Sequence, residues 1–533
     1  MADLQLNGQN LVLRELIEVA RQGRKVALSA DAVKSMEESL AWVLRASEGG
    51  ILDERGQPRT VYGVNTGFGS LARVPIPIDK SQVLSRNLVR SHAAGVGDTV
   101  PRDVARAMVV LRSNALAKGV SGCRPVLVER LLDLLNQGID PRVPAQGSCG
   151  SSGDLAPLAF LGLLIAHAPE DPDEETGGAW LGDEIVSGRE ALRRAGLEAL
   201  TLGPKEGLAL TNGAQLSTAF AALALWDAMR LVQLGEIAAA MSIEALRGVT
   251  RAFQPEVHAL RPYVGAKDCA ANLLVLMSGS GLVDTISGKV QDAYSLRCTP
   301  QVVGGVRDAL AHVGRQLGVE FNAATDNPLI CLDAVGEDKA YSAGMFHGEP
   351  VGLASDYLKI AISELASLAE RRLYRLITAR LSANLPPSLV HHERPGLGLF
   401  GVQTTAAALV SECKALGWPA SLDSIPTCED QEDHVAMSTT ASRRAADVVA
   451  LAQRVVDIEL MAAEHALRWR LEEEPGLSLG RGTAVAHEHL SSILYGSDVP
   501  SEALAAVADT REDLLDAVLE ACPELVSIDG VQA

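Results

Sequence analysis

The chain predicts a mainly α fold, with an N-terminal mixed, mostly helical domain over residues 1–215 and a long central helical bundle with a C-terminal helical region over 216–533. Three observations lead there. Aromatic residues make up only 4% of the chain while alanine and leucine fill much of the apolar content, and those residues lose little rotamer freedom in a helix. Apolar patterns of helical spacing run over 208–246, 304–318, 350–383, 403–415 and 439–472. Helices this long and apolar pack side by side in a bundle or a subunit interface. At 533 residues and 47% hydrophobic content the chain can bury a large core.

Taken in order, residues 10–48 and 100–138 carry apolar residues at helical spacing, for example Val104, Met108, Val109 and Leu111. Between them lies a glycine-rich loop, Tyr62 to Gly69. A second such loop, Gly147 to Gly153, runs into the apolar helix start Leu155-Ala156-Pro157-Leu158. Pro157 is tolerated there because first-turn amides have no partner inside the helix. Residues 169–178 read as an acidic surface connection, and 328–345 as strand-like pieces around the turn Gly336-Glu337-Asp338. Gly207 to Trp226 is uncharged over a membrane-spanning length, but it holds Thr211, Asn212, Gln215, Ser217 and Thr218. It therefore reads as a buried helix of a soluble protein.

A net charge of −20 argues against nucleic acid, whose phosphates require a basic face. The eight cysteines are scattered without a CxxC pair, which predicts buried thiols in a reducing cytoplasm. The first residues show no basic-then-apolar signal. Gly396 to Gly401 fits GxGxxG, but no Val/Ile-rich strand precedes it and no βαβ unit follows. His391-His392 and His487-Glu488-His489 lack the spacing that places two ligands on one helix face, so no metal is expected.

The segment with the most chemistry in it is Gly147-Ser148-Cys149-Gly150-Ser151-Ser152-Gly153-Asp154-Leu155-Ala156-Pro157. As a composition it is a flexible cap before a helix. A tight enough turn brings the Gly153 amide nitrogen to the Ser151 carbonyl carbon, and glycine permits that approach. Loss of water closes a five-membered ring. Loss of the Ser152 hydroxyl as a second water leaves a conjugated methylene, an electrophile that no protein side chain supplies.

This run resembles the signature of the aromatic amino acid lyase and aminomutase family, whose cofactor is 4-methylideneimidazol-5-one (MIO). The family usually has Ala-Ser-Gly; here Ser151 replaces the alanine, at the residue that keeps its side chain outside the ring. The resemblance extends over nearly the whole chain and implies the ammonia-lyase (fumarase/aspartase-like) type of helical fold. Asp154 matches the aspartate that assists ring formation. YGVNTGFG at 62–69 is similar to the mobile loop bearing the catalytic tyrosine, here Tyr62. A phenol titrates near pH 10, so Tyr62 needs positive charge or a helix N-terminus nearby to act as a base.

KEGLALTNGAQ at 205–215 resembles the segment placing an active-site asparagine, Asn212. QDAYSLRCTPQ at 291–301 supplies Gln291, Tyr294 and Arg297, which on a helix fall within an arc of about 120°. Arg297 matches two carboxylate oxygens with its planar fork. TDNP at 325–328 and FHGEP at 346–350 imply Asn327 and Phe346 near the ring. Ser91-His92 and Gln431-Glu432-Asp433-His434 are similar to the histidine-specific branch; phenylalanine lyases have Phe-Leu in the first place and an amide at Glu432. A carboxylate and an imidazole both pair with a substrate imidazole, whereas a phenyl ring leaves them unpaired.

The resemblance therefore implies elimination of ammonia from L-histidine to trans-urocanate, with MIO formed from Ser151-Ser152-Gly153 and no external cofactor. It assigns the substrate carboxylate to Arg297, its imidazole to His92 and Glu432, the β-proton to Tyr62 and orientation to Tyr294. It also implies a homotetramer with shared active sites, while the polar residues within Gly207 to Trp226 argue against a membrane partner. Two rivals stay open on the sequence: a mutase or a tyrosine or phenylalanine lyase of the same scaffold, and a helical scaffold whose loop never cyclises.

Overall fold

Helices dominate because apolar, small-residue segments bury themselves against one another. A computed structural model gives the structure of the chain and describes residues 2–528 apart from 70, 71, 73, 78, 79, 391–397 and 495–498. Its centre is built from five helices, Gln215–Ala245, Thr299–Glu320, Glu349–Ile377, Phe400–Leu416 and Ser438–Glu473. The Gln215–Ala245 helix is buried along most of its length, and the run of Ala238, Ala239 and Ala240 lets neighbouring helices approach closely. One continuous core extends from Leu4 through this bundle to Ile528.

Buried ion pairs tie the long helices together. Arg372 on Glu349–Ile377 donates from Nε and Nη2 to both oxygens of Glu459 on Ser438–Glu473, at 2.5 and 2.7 Å, and Ser242 on Gln215–Ala245 donates to the same carboxylate at 2.7 Å. The N-terminal half is more mixed. Leu4–Leu6 pairs parallel with Val26–Leu28, and Ile139–Pro141, Gly178–Leu181 and Glu184–Ser187 form a small antiparallel sheet. Leu329–Ile330 and Ala340–Tyr341 pair antiparallel around the predicted acidic turn.

Three expectations need correction. The pattern at 208–246 is two helices, Glu206–Thr211 and Gln215–Ala245, broken at Asn212 to Ala214. Gly213 there has φ +153, and a Cβ on it would meet the Gln215 side chain, the Arg112 guanidinium and the Thr325 carbonyl within 2.6 Å. The pattern at 350–383 stops as an α-helix at Ile377. The acidic stretch 169–178 is more than a solvated connection, because Asp171 is buried and accepts from Arg86, Arg90 and the Ala168 amide.

Among the described residues no helix is long and apolar enough to cross a membrane. All eight cysteines are free; Cys123, Cys269, Cys413 and Cys522 are buried as expected, while Cys331 and Cys428 are exposed. His391-His392 and the first two residues of the GxGxxG run lie outside the described residues; Phe400 and Gly401 open a helix. His487 and His489 sit on Arg481–Leu494.

Candidate active site

The Gly147 to Gly153 loop is shaped by places where only glycine fits. Gly150 has φ +70, and a Cβ on it would lie 2.0 Å from the Ser438 hydroxyl. Gly153 has φ +71 and packs on Gly213 so closely that a Cβ would lie 2.2 Å from the Gly213 carbonyl carbon. The Asp154 amide donates to the Gly213 carbonyl at 2.8 Å, locking the end of the loop.

Asp154 then anchors the loop to the bundle. Fully buried, its carboxylate accepts from the Ser148 hydroxyl at 2.7 Å, the Ser217 amide at 2.7 Å, the Ser217 hydroxyl at 3.0 Å and the Thr439 hydroxyl at 2.6 Å. Burial raises its pKa, and these hydrogen bonds offset the rise only in part. The geometry explains why a carboxylate sits here. Asp154 immediately precedes Leu155–Ile165, and apart from Ser148 its carboxylate partners lie in the first turns of Gln215–Ala245 and Ser438–Glu473. The N-terminus of Glu349–Ile377 joins them, because the Gly348 amide donates to the Gly150 carbonyl at 3.0 Å. Four helices thus turn their positive ends toward the loop.

A cavity of about 700 Å³ opens beside it. Tyr62, His92, Ser151, Ser152, Asn212, Asn327, Phe346 and Glu432 line it, gathering residues from seven separate stretches of sequence. Glu432 faces the loop directly: the Ser151 hydroxyl donates to its Oε2 at 2.8 Å and the Ser152 hydroxyl makes a short hydrogen bond to Oε1. Thr427 Oγ1 also donates to Oε2, at 2.5 Å. Burial acts to raise the Glu432 pKa, but hydrogen bonds from Ser152, Thr427, Ser151 and Cys428 outweigh it and hold the carboxyl below its usual range. The carboxylate is therefore the ionised acceptor of the cavity.

His92 places Nδ1 2.8 Å from the Leu88 carbonyl. That partner assigns the ring proton to Nδ1 and leaves Nε2 with its lone pair. An ionised carboxylate in the same cavity suits a ligand ring that carries an N–H donor. Asn212 donates to Asp326 at 3.2 Å, and its carbonyl is held by the buried Arg112 at 2.8 Å; the Asn327 side-chain oxygen accepts from the Ala343 amide at 2.8 Å.

Among the described residues, none of the causes acting on Tyr62 is the positive charge its role as a base requires. Burial raises its pKa; the Gly69 amide, donating to the phenol oxygen at 3.1 Å, lowers it, and the nearby Glu432 charge raises it further. In one chain the phenol keeps its proton at neutrality.

Five predicted residues are absent from the cavity lining: Gly153 and Asp154, which lie behind it in the loop, and Gln291, Tyr294 and Arg297. Gln291 is exposed, Tyr294 is 71% exposed, and Arg297 stacks its guanidinium 4.8 Å from the Tyr294 ring centre while donating to the Asp292 carbonyl at 2.9 Å. The shared helical arc also fails for Gln291, because the helix spans only Tyr294–Arg297. The sequence reading missed Ser148, Thr439, Arg112, Asp326 and Thr427. Ser148 lies inside the loop segment and Asp326 inside TDNP, whereas Arg112, Thr427 and Thr439 lie 35 or more residues from the loop in the chain and only the fold brings them in.

A helical bundle whose helix N-termini converge on a Ser-Ser-Gly loop beside a tyrosine and a carboxylate defines a lyase built for a small amino acid. The chain belongs to the aromatic amino acid lyase family, whose model matches residues 11–492. The histidine ammonia-lyase of Caldanaerobacter subterraneus subsp. tengcongensis is 43% identical over 91% of both chains, and that of Streptococcus gordonii 42% identical over 93% of both. Among solved structures, tyrosine aminomutase from Streptomyces globisporus aligns with a TM-score of 0.88 at 33% identity, covering 99% of this chain and 100% of that one. Histidine ammonia-lyase from Trypanosoma cruzi aligns with a TM-score of 0.86 at 34% identity, covering 99% and 96%.

Proposed function

We propose that this chain eliminates ammonia from L-histidine to give trans-urocanate, the first step of histidine degradation, through an MIO ring made from its own Ser151-Ser152-Gly153. The observation that carries this is the shared cavity: the Ser152 hydroxyl contacts Glu432, and Tyr62 and His92 line the same space. The residues fit the ring, because Gly153 is in a left-handed conformation with no room for a side chain and the loop is pinned at Asp154. When formed, MIO supplies an electrophilic methylene that turns the substrate amine into a better leaving group.

The chain's own residues do the rest. Glu432 accepts from the N–H of the substrate ring and His92 lies beside that ring, while Asn212, Asn327 and Phe346 wall the cavity. Tyr62 takes the β-proton on its phenol oxygen, which demands a cation that lowers its pKa. That cation is Arg297 of a second copy, arriving with Gln291 and Tyr294 to bind the substrate carboxylate in a homotetramer with shared sites. Two features support the shared site: Tyr294 is exposed with the half-buried Arg297 stacked on it, and Leu353, Tyr357 and Ile360 form an exposed apolar stripe along one face of Glu349–Ile377. Free cysteines throughout agree with a cytoplasmic enzyme.

The test combines mass and turnover. The intact purified chain should weigh two waters less than its sequence, L-histidine should yield urocanate absorbance, and Ser152→Ala should lose turnover while keeping its helical circular dichroism. Retained activity in Ser152→Ala removes the reading. Faster formation of coumarate, cinnamate or a β-amino acid selects a tyrosine or phenylalanine lyase or a mutase instead.

A further inference from the structure

Glu432 is held by hydroxyls unevenly. Its Oε2 accepts from both Ser151, at 2.8 Å, and Thr427, at 2.5 Å, while its Oε1 has the Ser152 hydroxyl alone of the loop's two serines. The backbone around it is also fixed. Thr427 and Glu432 bridge through amide–carbonyl hydrogen bonds at 3.0 and 3.3 Å, closing a turn in which Cys428, Glu429 and Asp430 all have φ between +51 and +62. Three successive side-chain-bearing residues in the left-handed region are strained, and such strain persists only where surrounding contacts enforce it. The turn sets where the Glu432 backbone lies. The hydroxyls, together with the Cys428 thiol, set where its carboxylate points.

Ring closure changes only one of these contacts. The Ser152 hydroxyl leaves as water, whereas Ser151 gives up only its carbonyl oxygen and keeps its side chain. We propose that Ser151 is a positioning residue for substrate recognition: with Thr427 it holds Oε2 of Glu432, so that Oε1, freed of the Ser152 hydroxyl once the ring closes, is oriented to accept the N–H of the substrate imidazole. The family's usual alanine at this position cannot do this. The proposal rests on the cyclisation reading above. Ser151 is buried and its hydroxyl has this carboxylate as its partner, which makes the contact part of the site rather than a surface bond.

The experiment is a double-mutant cycle on the full-length enzyme with Ser151→Ala, Glu432→Gln and the pair, each first weighed intact. With Glu432 present, Ser151→Ala is expected to raise KM for L-histidine about tenfold, the scale of one hydrogen bond to a charged group, with a smaller effect on kcat. In the Glu432→Gln background the same change should move KM by less than about twofold, because the interaction it breaks is already altered. Equal shifts in both backgrounds, or no shift with Glu432 present, overturn the proposal. So does a Ser151→Ala chain of uncyclised mass, which would make Ser151 a residue of ring formation. An uncyclised mass in active wild-type enzyme instead overturns the cyclisation reading itself, so the two failures are separable.

Discussion

Gly153 and Gly213 meet backbone to backbone: a parallel bridge joins them, and a Cβ on Gly153 would fall 2.2 Å from the Gly213 carbonyl carbon. A methyl group there cannot be absorbed by a flexible neighbour, because the obstacle is main chain. Gly213 cannot retreat, since its own environment is closed by Arg112, Gln215 and Thr325. Gly153→Ala is therefore expected to displace the loop, leave the intact mass at that of the uncyclised sequence and lower urocanate formation by about a hundredfold or more. The left-handed φ adds a backbone cost of about 1–2 kcal/mol to global stability. A Gly153→Ala chain that loses two waters at the wild-type rate would show that the contact does not govern the loop.

Tyr62→Phe should separate binding from chemistry. Removing a general base costs about 10²–10⁴ in rate, with KM changing little because the ring still fills its place beside Phe68 at 6.1 Å. The pH dependence has a definite sign. Burial and the Glu432 charge raise the Tyr62 pKa, so the phenolate fraction, and with it kcat/KM, grows as pH rises through the neutral range. Glu432→Gln removes the repelling charge and should move the rising limb to lower pH. A limb that stays fixed in Glu432→Gln would argue that Tyr62 is not the titrating base.

The Arg372–Glu459 pair makes a prediction about the scaffold. Both side chains are fully buried, the pairing is bidentate, and Ser242 closes it from a third helix. Arg372→Ala leaves a carboxylate stranded in the core and should cost about 3–5 kcal/mol in urea unfolding, whereas Arg372→Met with Glu459→Leu should recover most of that loss. Equal destabilisation by the single and double changes would mean that packing, not the ion pair, dominates there.

What the sequence revealed follows the range of the forces involved. Helices at 439–472 and 403–415 were legible because apolar periodicity is local, and they appear as Ser438–Glu473 and Phe400–Leu416. The Ser151-Ser152-Gly153 loop was legible because a contiguous motif encodes its turn. The break at Gly213 was not, since its φ of +153 answers to Arg112 and Thr325, about a hundred residues away on either side. Eight of the predicted site residues line one cavity. Gln291, Tyr294 and Arg297 do not; on the proposed reading a second copy supplies them, and a linear motif carries no information about which copy a residue serves.

Asp457 offers a stability switch that owes nothing to catalysis. It lies buried on Ser438–Glu473, with Arg511 of Pro500–Ala521 3.4 Å from Oδ2, and Oδ1 has no hydrogen-bond partner. An ion pair would ordinarily depress a carboxyl pKa, but this contact is too long to offset the desolvation, and burial raises the group to about 7 despite Arg511 and Arg454. The folded state therefore holds the proton more tightly than the unfolded chain, whose aspartates titrate near 3.9. The resulting stability is complete below the unfolded pKa and drains away as pH climbs through about 7. Asp457→Asn cannot ionise, so its melting temperature relative to wild type should rise between pH 5.5 and pH 8.5, by about 2–4 °C for 1 kcal/mol in a domain of ordinary size and less in a chain this long. A difference that is flat across that range, or falls with pH, would show that Arg511 keeps the carboxylate charged in the folded protein.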